Sequence, residues 1–151
     1  MEATIAAVPT GFISHRIPIR TSTTRQFLDI TDEVEARVRD SRFRCGLAVV
    51  STLHTTAALV VNEHEPELLK DLDGFLARLA PESGIYGHNG VPHGVGEQPN
   101  GHAHCQALLL NASISLPIVG GRLMLGRYQR VFLVELDFSR PRSIAVTLLG
   151  A

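Results

Sequence analysis

Apolar and polar positions along this chain alternate with period two over most of its length, and recur at helical spacing in two stretches. Phe12 to Ile19 alternates, with Phe12, Ser14, Arg16 and Pro18 against Ile13, His15, Ile17 and Ile19. That predicts a strand, and Pro18 assigns it to a sheet edge or to the strand's end. His15 reads as a surface side chain. Gln26 to Ile30 predicts a second short strand. Thr31 is expected to cap a helix over Asp32 to Asp40, with Asp32 and Glu33 in its first turn and Arg37 and Arg39 in its last. This charge order suits the helix dipole. Only Val34 and Val38 give it an apolar stripe, so it should lie on the surface.

The central stretch is Gly46 to Glu65. Leu47 to Val50 is a continuous apolar run, as expected of a strand buried on both faces. His54, Thr55 and Thr56 interrupt it, Ala57 to Val61 resume it, and Asn62 and Glu63 close it. A period of two puts His54 on the face of Ala48, Val50 and Thr52, and Glu63 on that of Ala57, Leu59 and Val61. No glycine marks a hairpin at the threonines, so a bulge or bend inside one long strand competes with a turn. Polar groups at the ends of apolar strands must be paired or in use. A core histidine held by hydrogen bonds is the bland account of His54, and bend chemistry that of Thr55 and Thr56.

Pro66 suits the first helical position, and Leu68, Leu69, Leu72, Phe75, Leu76 and Leu79 form one apolar arc at about 100° per residue. Asp71 falls at the margin of that arc. Pro81 ends the helix, and six glycines and two prolines between Gly84 and Gly101 exclude regular structure there. A loop of that length in a small domain is usually functional or disordered. It carries Tyr86, His88, Asn89 and His93, and leads into His102 and His104. Asn100 is expected to cap a helix from Gly101 to about Asn111. In a helix, His102 and His104 point to nearly opposite sides and His104 is the inward candidate; in a strand both would share a face. The remainder predicts sheet: Ile114–Val119, a turn at Gly120–Gly121, then Arg122–Leu125, Gln129–Leu136 and Ser143–Leu149. Glu135 lies inside a strand that is apolar on both faces and needs a partner, for which an arginine is the plain expectation.

The pattern amounts to a single domain of strands and two to three helices over residues 11–151, behind a flexible leader at 1–10. The chain of 151 residues suits one domain with a real core. A net charge of -1 provides no global field for nucleic acid or an anionic membrane. No apolar run approaches the ~20 residues needed to span a bilayer. Residues 1–10 lack a signal peptide's basic start and apolar core. Cys45 and Cys105 have no CxxC spacing and are expected to be buried, reduced thiols of a cytoplasmic protein.

His54, His88 and His104 come from three separated places and, with Glu63 and Asp71, could meet at one end of the sheet. Neutral imidazoles with a carboxylate suit zinc or a similar divalent ion, and three protein ligands leave a position open for water or a phosphate oxygen. There is no HExxH and no CxxC, so spacing alone does not select this account over the bland one.

The same residues carry a resemblance. His54-Thr55-Thr56-Ala57 followed by Asn62-Glu63, then Asp71, Tyr86 and His88-Asn89 are marks of the YjbQ family, described as secondary thiamine-phosphate synthases. So are Asn100-Gly101-His102-Ala103-His104, Leu116-Pro117-Ile118, Gly121-Arg122-Leu123, and Leu125-Gly126 to Gln129. The resemblance runs from about Arg16 to Gly150. Tyr128 departs from it, standing where a Trp is usual. It implies an α+β domain, a mixed or antiparallel sheet packed with two to three helices, assembled as a homotrimer, with a His-lined metal or anion site on His54, His88 and His104 holding zinc or magnesium. The implied activity joins a pyrimidine diphosphate to a thiazole phosphate with release of pyrophosphate. Glu63 and Asp71 would then orient a ligand or act as catalytic groups, and Thr55, Thr56, Asn62, Asn89, Arg122, Gln129 and Arg130 would contact the phosphorylated substrate. Two other classes fit the residues: a metal-dependent hydrolase of a small phosphorylated or ester substrate with Glu63 as general base, and a non-enzymatic metal- or ligand-binding trimer.

Overall fold

The computed structural model describes residues 11–92, 94 and 98–151. The leader expected at 1–10, and His93, lie outside the described residues. The chain runs β1 (Gly11–Arg20), β2 (Gln26–Asp29), α1 (Thr31–Ser41), β3 (Cys45–Thr52), β4 (Ala57–Glu63), α2 (Pro66–Leu79), a 3-10 turn (Gly87–Gly90), α3 (Gly101–Leu108), β5 (Ser113–Val119), β6 (Arg122–Leu123), β7 (Gln129–Glu135) and β8 (Pro141–Gly150). This is an α+β domain in which every strand pairing is antiparallel.

The strands form two sheets, one in the order β1-β8-β3-β5-β6 and one in the order β2-β7-β4. β1 is an edge strand, as Pro18 requires. The main core lies between the sheets. Ala48, Val50, Ile144, Val146 and Leu148 of the larger sheet meet Ala57, Leu59, Val131 and Leu133 of the smaller, with Val34 and Val38 of α1. Burying each large aliphatic side chain here contributes about 1.5–3 kcal/mol. α2 and α3 cover the other face of the small sheet, where Leu76 and Ala103 pack on Ala58, Phe132, Val134 and Leu136. The outer face of the large sheet carries no described helix and exposes Phe12, Leu47, Val119 and Leu149.

Several local expectations are corrected. β3 is buried on one face only, since Leu47 is exposed while Ala48 and Val50 are not. Of the two alternatives for the His54–Thr56 segment the turn holds and the bulge in one long strand does not: the chain turns at Thr55–Thr56, and β3 and β4 belong to different sheets. Thr31 does not cap α1. It is the first helical residue, and its N–H and hydroxyl donate to Asp29 Oδ1 at 3.0 and 2.6 Å. His15 alternates inward and is half-buried. Cys45 and Cys105 are free but exposed; each stands on a face that its own element turns outward.

α2 begins where Pro66 predicts, and Glu65 caps it by accepting the N–H groups of Glu67 and Leu68. Its apolar arc is wider than its contact with the sheet, for Phe75 and Leu79 remain about half exposed.

Candidate functional site

The site forms where the crossing between the sheets meets the start of β8 and the N-terminal turns of α3. β3 and β8 are paired up to Thr52 and Ile144, and Leu53 N–H still reaches Ser143 O at 3.3 Å. His54 follows directly, so its ring meets the backbone of Ser143, whose N–H donates to His54 Nε2 at 2.8 Å. Burial holds this imidazole below its ordinary pKa, and the charge of Arg142 pushes the same way, partly offset by Glu135. His54 is therefore neutral near pH 7.

Behind His54 stands a buried polar network. Glu135 is fully buried and takes the Arg142 fork: Nε donates to Oε2 at 2.6 Å and Nη2 to Oε1. The hydroxyl of Thr21 and the N–H of Asp137 complete the carboxylate's shell. Arg142 Nη2 also reaches Thr56 Oγ1 at 3.1 Å. Two residues on, the buried Asp137 repeats the device. Its Oδ2 accepts from Arg140 Nη2 at 2.6 Å and from Asn100 Nδ2 at 2.9 Å. Two carboxylates, one on the last residue of β7 and one just beyond it, thus fix two arginines and an amide, and charge-assisted bonds of this kind are the strong ones.

α3 and the glycine-rich loop bring the remaining histidines. Asn100 makes no cap; Asn89 does that work from the 3-10 turn, accepting Gly101 N–H on Oδ1 at 2.9 Å. A Cβ on Gly101 would sit 2.5 Å from Tyr86 Cβ, so only glycine permits this approach. The result sets His88 edge-on to His104, ring centroids 4.8 Å apart. The helical alternative for this segment holds, but the inward residue is His102, 2% exposed, and not His104, which turns to the cleft. Both His102 ring nitrogens and Gln106 Oε1 are buried without a hydrogen-bond partner among the described residues.

Together these parts line a cleft of 430 Å³. His54, Thr55, Thr56, His88, His104 and Asn100 surround it with Arg140 and Arg142. A second lobe of 460 Å³ shares Leu53, His54, Thr55 and His104 with the first, and is walled further by Ala107, Leu108 and Ala112. One lobe is polar and cationic, the other apolar.

Of the expected site residues, His54, His88, His104, Thr55 and Thr56 come together here. Asn89 is one step behind, holding the loop. Glu63 and Asn62 lie at the far end of β4, roughly 20 Å along the strand at about 3.3 Å per residue. Gln129 and Arg130 face them across β7. Arg130 is engaged by Asp29 at 2.7 Å and Asp32 at 3.2 Å. Asp71 is exposed on α2, and Arg122 is exposed on β6. Within one chain, then, neither Glu63 nor Asp71 lines the cleft with the histidines: the length of β4 separates Glu63 from it, and Asp71 stands on an exposed face of α2. Arg140, Arg142 and Asn100 were not anticipated. For the two arginines the signal is the spacing Glu135-x-Asp137 followed by Arg140-x-Arg142, two acids and two bases each two residues apart; for Asn100 there is none.

The donor set does not suit a divalent ion held by all three imidazoles. A backbone N–H can only donate, so His54 Nε2 spends its lone pair on Ser143 and the ring proton sits on Nδ1. A metal ligand needs a free lone pair, so His54 does not fit as one of three imidazole ligands. Among the described residues no three His, Cys, Asp or Glu are grouped to hold an ion.

A family model, UPF0047 protein YjbQ-like, matches residues 15–151. A UPF0047 protein of Archaeoglobus fulgidus is 38% identical over 133 residues, covering 88% of this chain and 98% of that protein. The YjbQ protein of Escherichia coli O157:H7 is 32% identical over 129 residues, 83% of this chain and 90% of its own. The crystal structure of a YbjQ-like protein of Sulfolobus solfataricus P2 is similar at a TM-score of 0.88 and 34% identity, covering 95% of this chain and all of that one. A structure from Aeropyrum pernix K1 follows at 0.85 and 37%, covering 92% and 99%.

Proposed function

The chain belongs to the YjbQ-like UPF0047 family, and from that premise we propose that its two-lobed cleft binds a small phosphorylated molecule and stabilises a departing phosphate or pyrophosphate. The observation that carries this is the pair of arginines, Arg140 and Arg142, each held at the polar lobe by a buried carboxylate of β7 or its extension. Fixed cationic donors lose little entropy when an anion arrives and need no reorganisation as charge develops on a leaving group. Thr55 and Asn100 add neutral donors at the same lobe.

The reaction that fits best is the joining of a pyrimidine diphosphate to a thiazole phosphate, giving thiamine phosphate and pyrophosphate. The apolar lobe suits a flat heterocycle against Leu108 and Ala112, while the diphosphate meets the arginines. No step is assigned to a metal ion, since His54 does not fit as a ligand. The hydrolase reading is weaker because its general base, Glu63, stands at the far end of β4. A non-enzymatic binder uses the same cleft and differs only in the absence of turnover.

The homotrimer is part of this proposal. The uncovered outer face of the large sheet, with Phe12, Leu47, Val119 and Leu149 exposed, supports it as a self-contact. A cytoplasmic location accords with two free thiols and a phosphorylated substrate. No helix among the described residues is long and apolar enough to cross a membrane.

Calorimetric titration with inorganic pyrophosphate tests the reading. The wild type should bind it with an affinity that falls as salt rises. Arg140→Gln, at a half-buried position, should lose about tenfold or more, as expected when a bond to a charged group is removed. Equal binding by the variant would refute the arginine cradle. Formation of thiamine phosphate from the two precursors, measured next, separates the synthase from the binder.

A further inference from the structure

Among the side chains of the cleft, His54 has its chemistry decided by the backbone. Ser143 N–H can act only as donor, so the 2.8 Å contact leaves His54 Nε2 without a proton and Nδ1 with one. No choice of ring assignment enters, because a ring turned over would set a carbon against that N–H. The bond joins residues 89 positions apart, at the point where the β3–β8 ladder ends. It is held there by the same register that aligns Thr52 with Ile144.

We infer that His54 serves the cleft as a hydrogen-bond donor through Nδ1–H, recognising an acceptor oxygen of the phosphorylated ligand, and is not a metal ligand. Its single lone pair is engaged, and its only remaining polar group is a donor. Arg140 and Arg142 each face a carboxylate, so the four charges of the network balance in pairs. A neutral N–H beside them adds direction without adding net charge. The identity of the ligand rests on the anion reading given above; the tautomer does not.

The experiment uses the full-length protein, labelled with nitrogen-15, and long-range proton–nitrogen correlation spectra of the histidine rings. The His54 signals are identified by their loss in His54→Gln. At neutral pH they should show the Nδ1–H tautomer, remain unchanged on addition of zinc, and shift on addition of inorganic pyrophosphate. Two variants divide the two ring nitrogens. In His54→Gln the amide oxygen replaces Nε2 and keeps an acceptor for Ser143, while the Nδ1 donor is lost. In His54→Asn the amide nitrogen overlays Nδ1 and keeps the donor.

The Gln variant should retain the thermal midpoint yet bind pyrophosphate about tenfold or more weakly, and the Asn variant should bind within a few-fold of wild type. An Nε2–H tautomer, or displacement of the Ser143 bond by zinc, would overturn the inference. Wild-type affinity in the Gln variant would overturn the donor role. If the wild type binds no pyrophosphate, the anion reading fails and the donor role fails with it. The zinc-titrated tautomer then decides separately whether His54 is excluded as a ligand.

Discussion

The strongest demand the structure makes on stability concerns Glu135. Its carboxylate is fully buried and accepts two bonds from Arg142, one from the Thr21 hydroxyl and one from Asp137 N–H. Arg142 is itself only 4% exposed. Glu135→Gln keeps the shape and one acceptor oxygen but removes the charge that balances the guanidinium. Removing one member of such a buried pair costs about 3–5 kcal/mol, and the oxygen that Gln retains puts the loss at the lower end, about 3 kcal/mol. For a chain of this length that lowers the thermal midpoint by about 6–12 °C at 2–4 °C per kcal/mol. The measurement is a thermal or urea unfolding curve at one fixed protein concentration, because self-association shifts apparent stability. The double variant Glu135→Leu with Arg142→Met removes both charges and should recover most of the loss, since an apolar pair of similar volume is often neutral. A single variant that loses less than about 1 kcal/mol, or a double variant that loses the sum of the singles, would refute the account. Glu135→Gln should also weaken pyrophosphate binding although Glu135 does not line the cleft, because it positions Arg142.

Three further outcomes follow from other parts of the molecule. Burial raises the Asp29 pKa, but bonds from Arg130, Thr31 and His64 outweigh it and hold the group at about 2. A depressed carboxylate contributes stability that is complete above its unfolded value near 4 and is lost as pH falls through about 2. Asp29→Asn should therefore lower stability at neutral pH and flatten its decline between pH 4 and 2, as measured by urea midpoints across that range. Gly101→Ala should push Tyr86 and the Asn89 bond away from α3, weakening pyrophosphate binding while the far-UV circular dichroism is kept; unchanged affinity would show that the loop's placement against α3 does not shape the cleft. His102→Leu removes a buried ring that has no polar partner among the described residues, and should leave the thermal midpoint equal or higher. A loss of stability of more than about 2 kcal/mol, a midpoint lower by about 4–8 °C, would show that the ring is partnered.

Some of this protein is determined by its sequence alone. The arc from Leu68 to Leu79 behind Pro66 specifies α2, and the alternation from Phe12 to Ile19 specifies β1. Glu135 inside an apolar strand needs a partner, and an arginine is the plain expectation. These are local consequences of side-chain period and of the cost of burying a charge, and they need no knowledge of neighbours. Tertiary structure decided the rest. Which arginine answers Glu135, whether Asn89 or Asn100 meets the end of α3, and whether the lone pair of His54 is engaged depend on contacts between residues 7, 12 and 89 positions apart, set by strand register and by the packing of the loop on α3. In the sequence His54 and Glu63 each stand at the end of an apolar run of one stretch, yet the chain changes sheets at Thr55–Thr56. β4 then carries Glu63 away from the cleft by its full length. Period tells which face a residue takes; only the pairing of strands tells what waits opposite it.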